Sequence, residues 1–413
     1  MRQRVLVAAV VALAACRGRP PATSDAAELT RLMDSLAPYV EHATGLRFTR
    51  LPRAEILSRD QLRAYLDARF REEYPGQRMR DLRDAYRLLT LLPDSTDLGK
   101  LYLDVLSEQV AGFYDPDSAA FFGVAGAPPA FRVSTVAHEL VHALQHDYIP
   151  LDSILGQKAD ADRLLAAQAI LEGQATIAMM RMQPGVGDRV LDPALWETVR
   201  DQLAQNQRTM PVFAGAPRVV REGLIFPYLS GAEFMRWWMT THPDSVQPYG
   251  ARMPTSTEQI LLPSHYLAGD RPVPVSFTAG PPDSADTDVL GDEGVRILLA
   301  EIRGQAEVPT AIPIGWGGDR YVIYETAPGP ALVWAAVWDT PVAREGFLAA
   351  AKGPWLRRVR PGYRMSLEAK DIDGRPGTLF VHAPTGWPGW RDLPVAEARS
   401  APRSPSQAPS AKP

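Results

Sequence analysis

The stretch "RVSTVAHELVHALQHDYIPL", from Arg132 to Leu151, decides how this chain is interpreted. It places three of the chain's seven histidines within nine residues, with one glutamate between them and apolar residues on either side. Because an α-helix completes a turn in about 3.6 residues, His138 and His142 lie on one face of a helix, one turn apart. The apolar residues around them predict that this helix is buried.

The segment "HELVH" within this stretch has the H-E-x-x-H spacing of a metal-binding helix. Two imidazoles one turn apart can bind a tetrahedral zinc ion, and the helix holds them rigidly. Glu139 stands beside the metal, where its carboxylate can accept a proton from a metal-held water molecule and pass it to a leaving amine. We therefore predict His138 and His142 as zinc ligands and Glu139 as the general base. The alternative is a purely structural set of histidines.

A third zinc ligand has to come from another part of the chain. His146 follows His138 by eight residues, a rise of about 12 Å along a helix, so its ring cannot reach the same ion. Glu172 in "ILEGQAT" lies on the next strongly helical segment, and the small residues beside it allow two helices to approach closely. We predict Glu172 as the third ligand. Two alternatives are a surface position for Glu172, and an early helix end near Gln145 that turns His146 back onto the metal.

The "HELVH" segment followed by "EGQA" resembles the gluzincin metallopeptidases, in which two histidines and a downstream glutamate hold zinc. More narrowly, the chain is similar to a largely uncharacterised group of bacterial and archaeal metallopeptidase-like proteins, many of them lipoproteins. The matching stretches, from about residue 108 to 324, are "EQVAGFYDPDS", "VAHELVHALQ", "ILEGQAT", "FPYLSGAEF", "PTSTEQIL" and "GWGGDRYVIY". Leu262 departs from the pattern, which has a histidine there, so no role is assigned to that loop.

The resemblance implies a zinc-dependent peptidase that acts on a peptide or protein substrate. Tyr228 in "FPYLSG" is a candidate donor to the oxyanion of the substrate, since gluzincins commonly place a tyrosine or histidine in this role; the alternative is aromatic packing. The stretch "AAFFGVAG" is predicted to form the edge strand along which a substrate pairs, or else a hairpin that packs in the core. The alternative function is a binding or assembly lipoprotein that keeps a zincin fold without turnover. The presence of Glu139 favours the enzyme.

The N-terminal stretch "MRQRVLVAAVVALAAC" is typical of a signal peptide, with two arginines, a short apolar run and small residues before a cysteine. Its "LAAC" ending resembles a bacterial lipobox, which implies cleavage before Cys16 and attachment of lipid to that residue. Residues 1–16 are thus predicted as a lipoprotein signal peptide and residues 17–28 as a tether. Arg17 favours the outer membrane of a cell that has one, with the protein facing the periplasm or exterior. The alternative is an ordinary signal peptide.

Composition narrows the remaining possibilities. The chain has 413 residues, 46% of them hydrophobic, which is enough to bury a large core. Its formal net charge is −4 and it has no basic stripe, so nucleic acid is excluded as a partner. Cys16 is the one cysteine of the chain, which excludes an intramolecular disulfide. The sequence does not indicate an oligomeric state.

The hydrophobic periodicity predicts an α+β fold. Residues 29–300 are expected to form a mainly helical, zincin-like catalytic region with a small edge sheet. Residues 301–392 are expected to form a smaller α+β region, and residues 393–413, rich in Pro, Ser and Ala, a disordered tail. The three glycines of "GWGGDR", residues 315–320, predict a tight turn or a close approach of the backbone.

Overall fold

The computed structural model describes residues 23–127, 129–149, 160–243, 247–278, 284–310 and 312–399. Helices dominate the first two thirds of the chain and strands the last third, so the predicted α+β class is confirmed. Residues 1–22, including the predicted lipidation site Cys16, lie outside the described residues. Among the helices of the described ranges, none is long and apolar enough to cross a membrane.

The helices and strands are numbered in chain order. The first part of the chain forms α1 (Thr23–Thr44), β1 (Arg53–Leu57), α2 (Arg59–Glu73), α3 (Gly76–Leu88), α4 (Leu98–Gln109), β2 (Gly112–Asp115) and β3 (Ala120–Val124). The central part forms α5 (Pro129–Tyr148), α6 (Ala161–Arg181), α7 (Pro193–Gln207), α8 (Pro211–Gly215), α9 (Arg218–Thr241), α10 (Thr257–Leu261) and α11 (Pro263–Ala268). The last part forms β4 (Val275–Thr278), β5 (Ser284–Asp288), α12 (Gly291–Arg303), β6 (Trp316–Tyr324), β7 (Ala331–Trp338), α13 (Pro341–Leu356), β8 (Tyr363–Ala369), β9 (Gly377–Pro384) and β10 (Val395–Ala398).

A three-stranded sheet precedes the histidine-bearing helix, in the order β1-β3-β2. The alternative assignment of "AAFFGVAG" to a hairpin is confirmed, since β2 and β3 pair antiparallel around the turn after Asp115. Arg69 of α2 holds this turn, with 2.6 Å between its Nη2 atom and Asp115 Oδ1. The prediction that "AAFFGVAG" is an edge strand is wrong, because β1, which the sequence did not indicate, pairs parallel to β3 and leaves it in the centre. The edges of this sheet are β1 and β2.

Two glycines let α6 and α9 cross in backbone contact. A Cβ atom on Gly173 would lie 2.3 Å from Gly231 O, and a Cβ atom on Gly231 would lie 2.0 Å from Ala169 O. No residue with a side chain fits at either position, because real Cβ contacts are not shorter than about 3 Å. The small residues beside Glu172 therefore serve two neighbours: Gly173 faces α9, whereas Ala175 packs in the core shared with α5.

The larger sheet has the order β5-β6-β7-β9-β8, with all of its neighbouring strands antiparallel. One face buries Trp334 and Phe380 against Trp355 of α13. The other face packs against the β4–β10 pair, through residues such as Val275 and Ala396. Both faces are covered, which explains why β7 and β9 are buried along their whole length.

Three predicted boundaries need correction. The tether does not extend to residue 28, because α1 begins at Thr23. The disordered tail does not begin at residue 393, because Val395–Ala398 forms β10 and pairs with β4; residues 400–413 lie outside the described residues. Residue 301, the predicted start of the C-terminal region, lies inside α12, and β5 of the large sheet precedes it. One hydrophobic core crosses this position and joins Leu88, Leu298 and Trp334.

Candidate metal centre

Helices α5 and α6 pack side by side and bring the three predicted ligands together. Apolar residues of α5 share a core with Ala175 and Ala178 of α6. His138, His142 and Glu172 lie at the same level of this contact, and each offers one donor atom within 4.8 Å of the other two. All three side chains are buried. The local helical spacing positions the histidines, and the packing of α6 positions the glutamate.

The spacing of the donor atoms fits a tetrahedral metal. Glu172 Oε2 lies 3.0 Å from His138 Nε2 and 3.3 Å from His142 Nε2. Zinc bonds of about 2.0–2.2 Å at tetrahedral angles separate neighbouring donors by roughly 3.3–3.5 Å. Two imidazole nitrogens and one carboxylate oxygen are also a donor set that zinc uses, with a fourth position left for water or substrate. The residues present therefore fit this ion.

The charges of the three side chains shift one another's pKa values. Burial opposes ionisation of Glu172, but the facing imidazoles outweigh it and hold the pKa of this carboxyl at about 2. Burial likewise favours neutral His142, but the carboxylate of Glu172 raises the pKa of His142 to about 9. For His138 burial dominates and lowers the pKa. An anionic carboxylate is thus held between two imidazoles, which is the ionisation state in which it binds a cation.

Gln145 orients His142. Its Oε1 atom lies 2.8 Å from His142 Nδ1, and its Nε2 atom donates to Leu171 O and to Gln174 Oε1, at 2.9 Å each. Because the amide nitrogen is bound to a backbone carbonyl, the amide oxygen faces the ring and Nδ1 carries the proton. In the neutral ring, which is the form that binds a metal, the lone pair is therefore on Nε2, the atom that faces Glu172. The contact with Leu171 also ties α5 to the residue before Glu172.

Glu139 follows His138 on α5, and one of its carboxylate oxygens is anchored by a hydrogen bond. The backbone N–H of Tyr114 in β2 donates to Glu139 Oε2 at 2.8 Å. The other oxygen, Oε1, is buried and has no hydrogen-bond partner among the described residues. Burial, with a further contribution from the carboxylate of Glu172, raises the pKa of Glu139 to about 8. A carboxyl with one anchored oxygen, one free oxygen and a pKa near neutrality can exchange protons.

Tyr228 lies beside the candidate centre, whereas His146 lies outside it. The ring of Tyr228, on α9, lies 5.9 Å from the ring of His138 at an interplanar angle of 24°, so the residue borders the candidate centre. His146 is exposed, and its Nδ1 atom lies 2.8 Å from the hydroxyl of Tyr114. The helix continues past Gln145 to Tyr148, so the chain does not turn His146 back towards the other histidines.

Several residues around the centre were not identified from the sequence. Gln145 follows His142 by three residues, and this helical spacing could have indicated its contact with the ring. Gln174 also accepts a hydrogen bond from the hydroxyl of Tyr249, which is distant in sequence. The Tyr114 amide could not be foreseen, because its contact with Glu139 depends on how β2 packs against α5.

Comparison with known proteins adds one family match. A model of a domain of unknown function, DUF8575, matches residues 278–359. This segment runs from the end of β4 to just beyond α13 and contains none of the residues of the candidate metal centre. No curated protein and no solved structure matches the chain.

Proposed function

We propose that this protein is a zinc-dependent peptidase in which His138, His142 and Glu172 hold the ion. One observation carries the proposal: the three buried donor atoms lie within 4.8 Å of one another, next to a glutamate that has one anchored and one free oxygen. A structural zinc site needs no such carboxyl, whereas hydrolysis does. When bound in a site of this kind, zinc supplies a Lewis acid that makes water nucleophilic at neutral pH.

Other residues of the chain orient the metal ligands, transfer the proton and bind the substrate carbonyl. Gln145 keeps the lone pair of His142 directed at Glu172, so the ligand set is preorganised. Glu139 takes up a proton on Oε1 when water attacks the scissile carbonyl and delivers it to the amine that leaves. The Tyr114 amide holds Oε2 and prevents the carboxyl from rotating. Tyr228 borders His138, where its hydroxyl can donate to the oxygen of the substrate carbonyl.

Replacement of Glu139 by glutamine tests this assignment. Glu139→Gln keeps the size of the side chain and an acceptor for the Tyr114 amide, but it cannot take up the proton. We expect metal content and melting temperature close to wild type, and peptidase activity reduced at least about 100-fold. The measurements are metal analysis by mass spectrometry, thermal unfolding, and hydrolysis of a fluorogenic peptide mixture. Glu197→Gln, at an exposed position of α7, is the matched control.

Two outcomes would contradict the peptidase proposal. A Glu139→Gln variant as active as wild type would exclude Glu139 as the base. Stoichiometric zinc bound by wild type, without hydrolysis of any peptide in the mixture, would favour the alternative of a zincin-fold binding protein. Replacement of His138 and His142 by alanine is expected to abolish zinc binding at this site in both cases.

We further propose that the protein is anchored to the cell envelope through lipid on Cys16. The proposal rests on the sequence "LAAC" alone, at residues outside the described ranges. In bacteria fed a labelled fatty acid, the wild-type chain is expected to carry the label and to fractionate with membranes. Cys16→Ser is expected to lose both properties. An unlabelled wild-type chain would contradict the anchor without affecting the assignment of the metal centre.

A further inference from the structure

A second group of potential ligands lies outside the candidate metal centre. Glu258 on α10, His265 on α11 and Asp270 after α11 each offer a donor atom within 4.8 Å of the other two. His265 Nδ1 lies 3.0 Å from Asp270 Oδ2 and 3.7 Å from Glu258 Oε2. None of these residues belongs to the His138–Glu172 site, and the peptidase proposal gives them no role.

The chain is folded locally so that these side chains meet. Gly269 ends α11 in the left-handed conformation, with φ of +66°. This turn lets the N–H of Asp270 donate to His265 O at 3.0 Å, which brings residues five apart in sequence side by side. Gln259 of α10 binds the carbonyl of Asp270 through its side-chain amide, so α10 is tied to the same turn.

Glu258 is a buried carboxyl, and one of its oxygens receives no hydrogen bond from the described residues. Its side chain is only 6% exposed, and its Oε1 atom has no hydrogen-bond partner among the described residues. Its Oε2 atom faces His265 Nδ1 at 3.7 Å, beyond hydrogen-bond distance, so the carboxyl points into the cluster. Burying such a group without a partner opposes folding. A bound cation would remove this cost.

The surroundings of Glu258 concentrate negative charge. Burial, together with the carboxylates of Asp292, Asp339 and Asp270, raises the pKa of Glu258 to about 9. Asp292 is compensated by Arg296, whose Nε lies 2.5 Å from its Oδ2. Burial, together with the carboxylates of Asp270 and Asp292, raises the pKa of Asp339, whereas His265 lowers it.

We propose that Glu258, His265 and Asp270 form a second metal site, which binds a divalent first-row cation of the Zn²⁺ or Mn²⁺ type. Two carboxylate oxygens and one imidazole nitrogen are the donors that such ions share. The donor separations of 3.0 and 3.7 Å bracket the roughly 3.0–3.5 Å expected between neighbouring ligands at metal bonds of about 2.1–2.2 Å. Asp270 has 47% of its side chain exposed, so an ion can enter from solvent.

The bound ion would join α10, α11 and the turn that follows them. A simple hydrogen bond between His265 and Asp270 is the competing account of this geometry. That hydrogen bond satisfies two of the three groups and leaves the buried Oε1 of Glu258 without a partner. The two accounts therefore differ in the role of Glu258.

Glu258→Gln tests the proposal, because it keeps the size of the buried side chain and removes its charge. Metal-free protein is dialysed against Zn²⁺ or Mn²⁺, and bound metal is measured by mass spectrometry. Wild type is expected to bind about two equivalents of zinc, and Glu258→Gln about one, with affinity at the second site reduced at least tenfold. His42→Ala, an exposed histidine of α1, is the control and is expected to behave as wild type.

The same measurement in a His138→Ala/His142→Ala background separates the two sites. That background is expected to keep about one equivalent, and addition of Mn²⁺ is expected to raise its melting temperature; adding Glu258→Gln is expected to abolish both effects. If the background does not fold, the comparison of wild type with Glu258→Gln still decides the question. Equal metal content in these two proteins would overturn the second site, whereas failure of the peptidase site would show as equal metal content of wild type and the histidine double variant.

Discussion

At the scale of single residues, the candidate centre depends on side chains that reach it in different ways. His138, Glu139 and His142 lie within five consecutive positions of α5, so helical geometry alone sets their relative positions. Glu172 comes from α6 and reaches both imidazoles, at 3.0 and 3.3 Å. Gln145 couples the two helices, because it binds His142 and the carbonyl of Leu171.

The third ligand is tested by comparing two alanine variants. Glu172→Ala removes an oxygen that faces both histidines, so we expect zinc affinity to fall by more than the roughly 10–100-fold typical of residues that only support ligands. His146→Ala is expected to change zinc affinity little, because its ring is exposed and bound to Tyr114. Competition with a chelator measures both affinities. Loss of zinc from His146→Ala, with zinc retained by Glu172→Ala, would replace the assignment by a three-histidine site.

The sequence predicted those parts of the site that depend on local spacing. The i and i+4 positions of His138 and His142 follow from one helix, and Glu172 was indicated by the next helical segment with small residues beside it, in agreement with the resemblance to gluzincins. The contacts of Glu139 with Tyr114 and of Gln174 with Tyr249 join elements whose packing no local pattern describes. The fold class was predictable for the same reason, because periodicity identifies helices and strands. The central position of β3 was not, since it depends on pairing with a distant β1.

At the scale of elements, the crossing of α6 and α9 places Tyr228 beside the candidate centre. The backbones touch at Gly173 and Gly231, so α9 is held against the helix that carries Glu172. Tyr228 lies three residues before Gly231, on a neighbouring part of the same helical surface, and thereby reaches the ring of His138. The "GWGGDR" segment uses its glycines in a similar way, since a Cβ on Gly318 would lie 2.3 Å from Val273 O. The predicted close approach of the backbone is confirmed there.

Gly231→Ala should separate α6 from α9. The added methyl would lie 2.0 Å from Ala169 O, so the helices must move apart. We expect a loss of about 3 kcal/mol or more in the free energy of unfolding, at the upper end of overpacking effects. Chemical denaturation measures this loss. Gly223→Ala, on the same helix with open space at its Cβ, is expected to be neutral or stabilising by up to about 1 kcal/mol. Equal effects of the two changes would argue against the close crossing.

At the scale of the whole molecule, the helical part and the large sheet fold around one core. The last turn of α3 receives two donors from the C-terminal part: Trp355 Nε1 donates to Leu89 O at 3.2 Å, and His382 Nδ1 lies 2.7 Å from Leu88 O. Both side chains are fully buried. These contacts satisfy carbonyls at a helix end that have no partner within the helix. The C-terminal part therefore completes α3, and the two parts are expected to unfold together.

The titration of His382 makes this coupling measurable. Burial lowers the pKa of His382 to about 4, against about 6.5 in an unfolded chain. Above pH 6.5 both states are neutral and the contribution of His382 to stability is complete. As the pH falls from about 6.5 to 4, only the unfolded chain takes up the proton, so this contribution is lost. We expect the loss by pH 5 to be about 2 kcal/mol.

His382→Asn isolates this effect, because asparagine can still donate to Leu88 O but does not titrate. The free energy of unfolding is measured by denaturant at pH 7 and pH 5 for wild type and variant, and the difference of the two losses gives the contribution of His382. Other groups that titrate in this range, including those of the metal centre, affect both proteins and cancel. His42→Asn, on the exposed side of α1, is expected to lose as much stability as wild type. If His382→Asn lost as much as wild type too, the histidine would not be held neutral between α3 and β9. The contact between α3 and β9 would then be more accessible to water than the 2.7 Å distance between His382 Nδ1 and Leu88 O indicates.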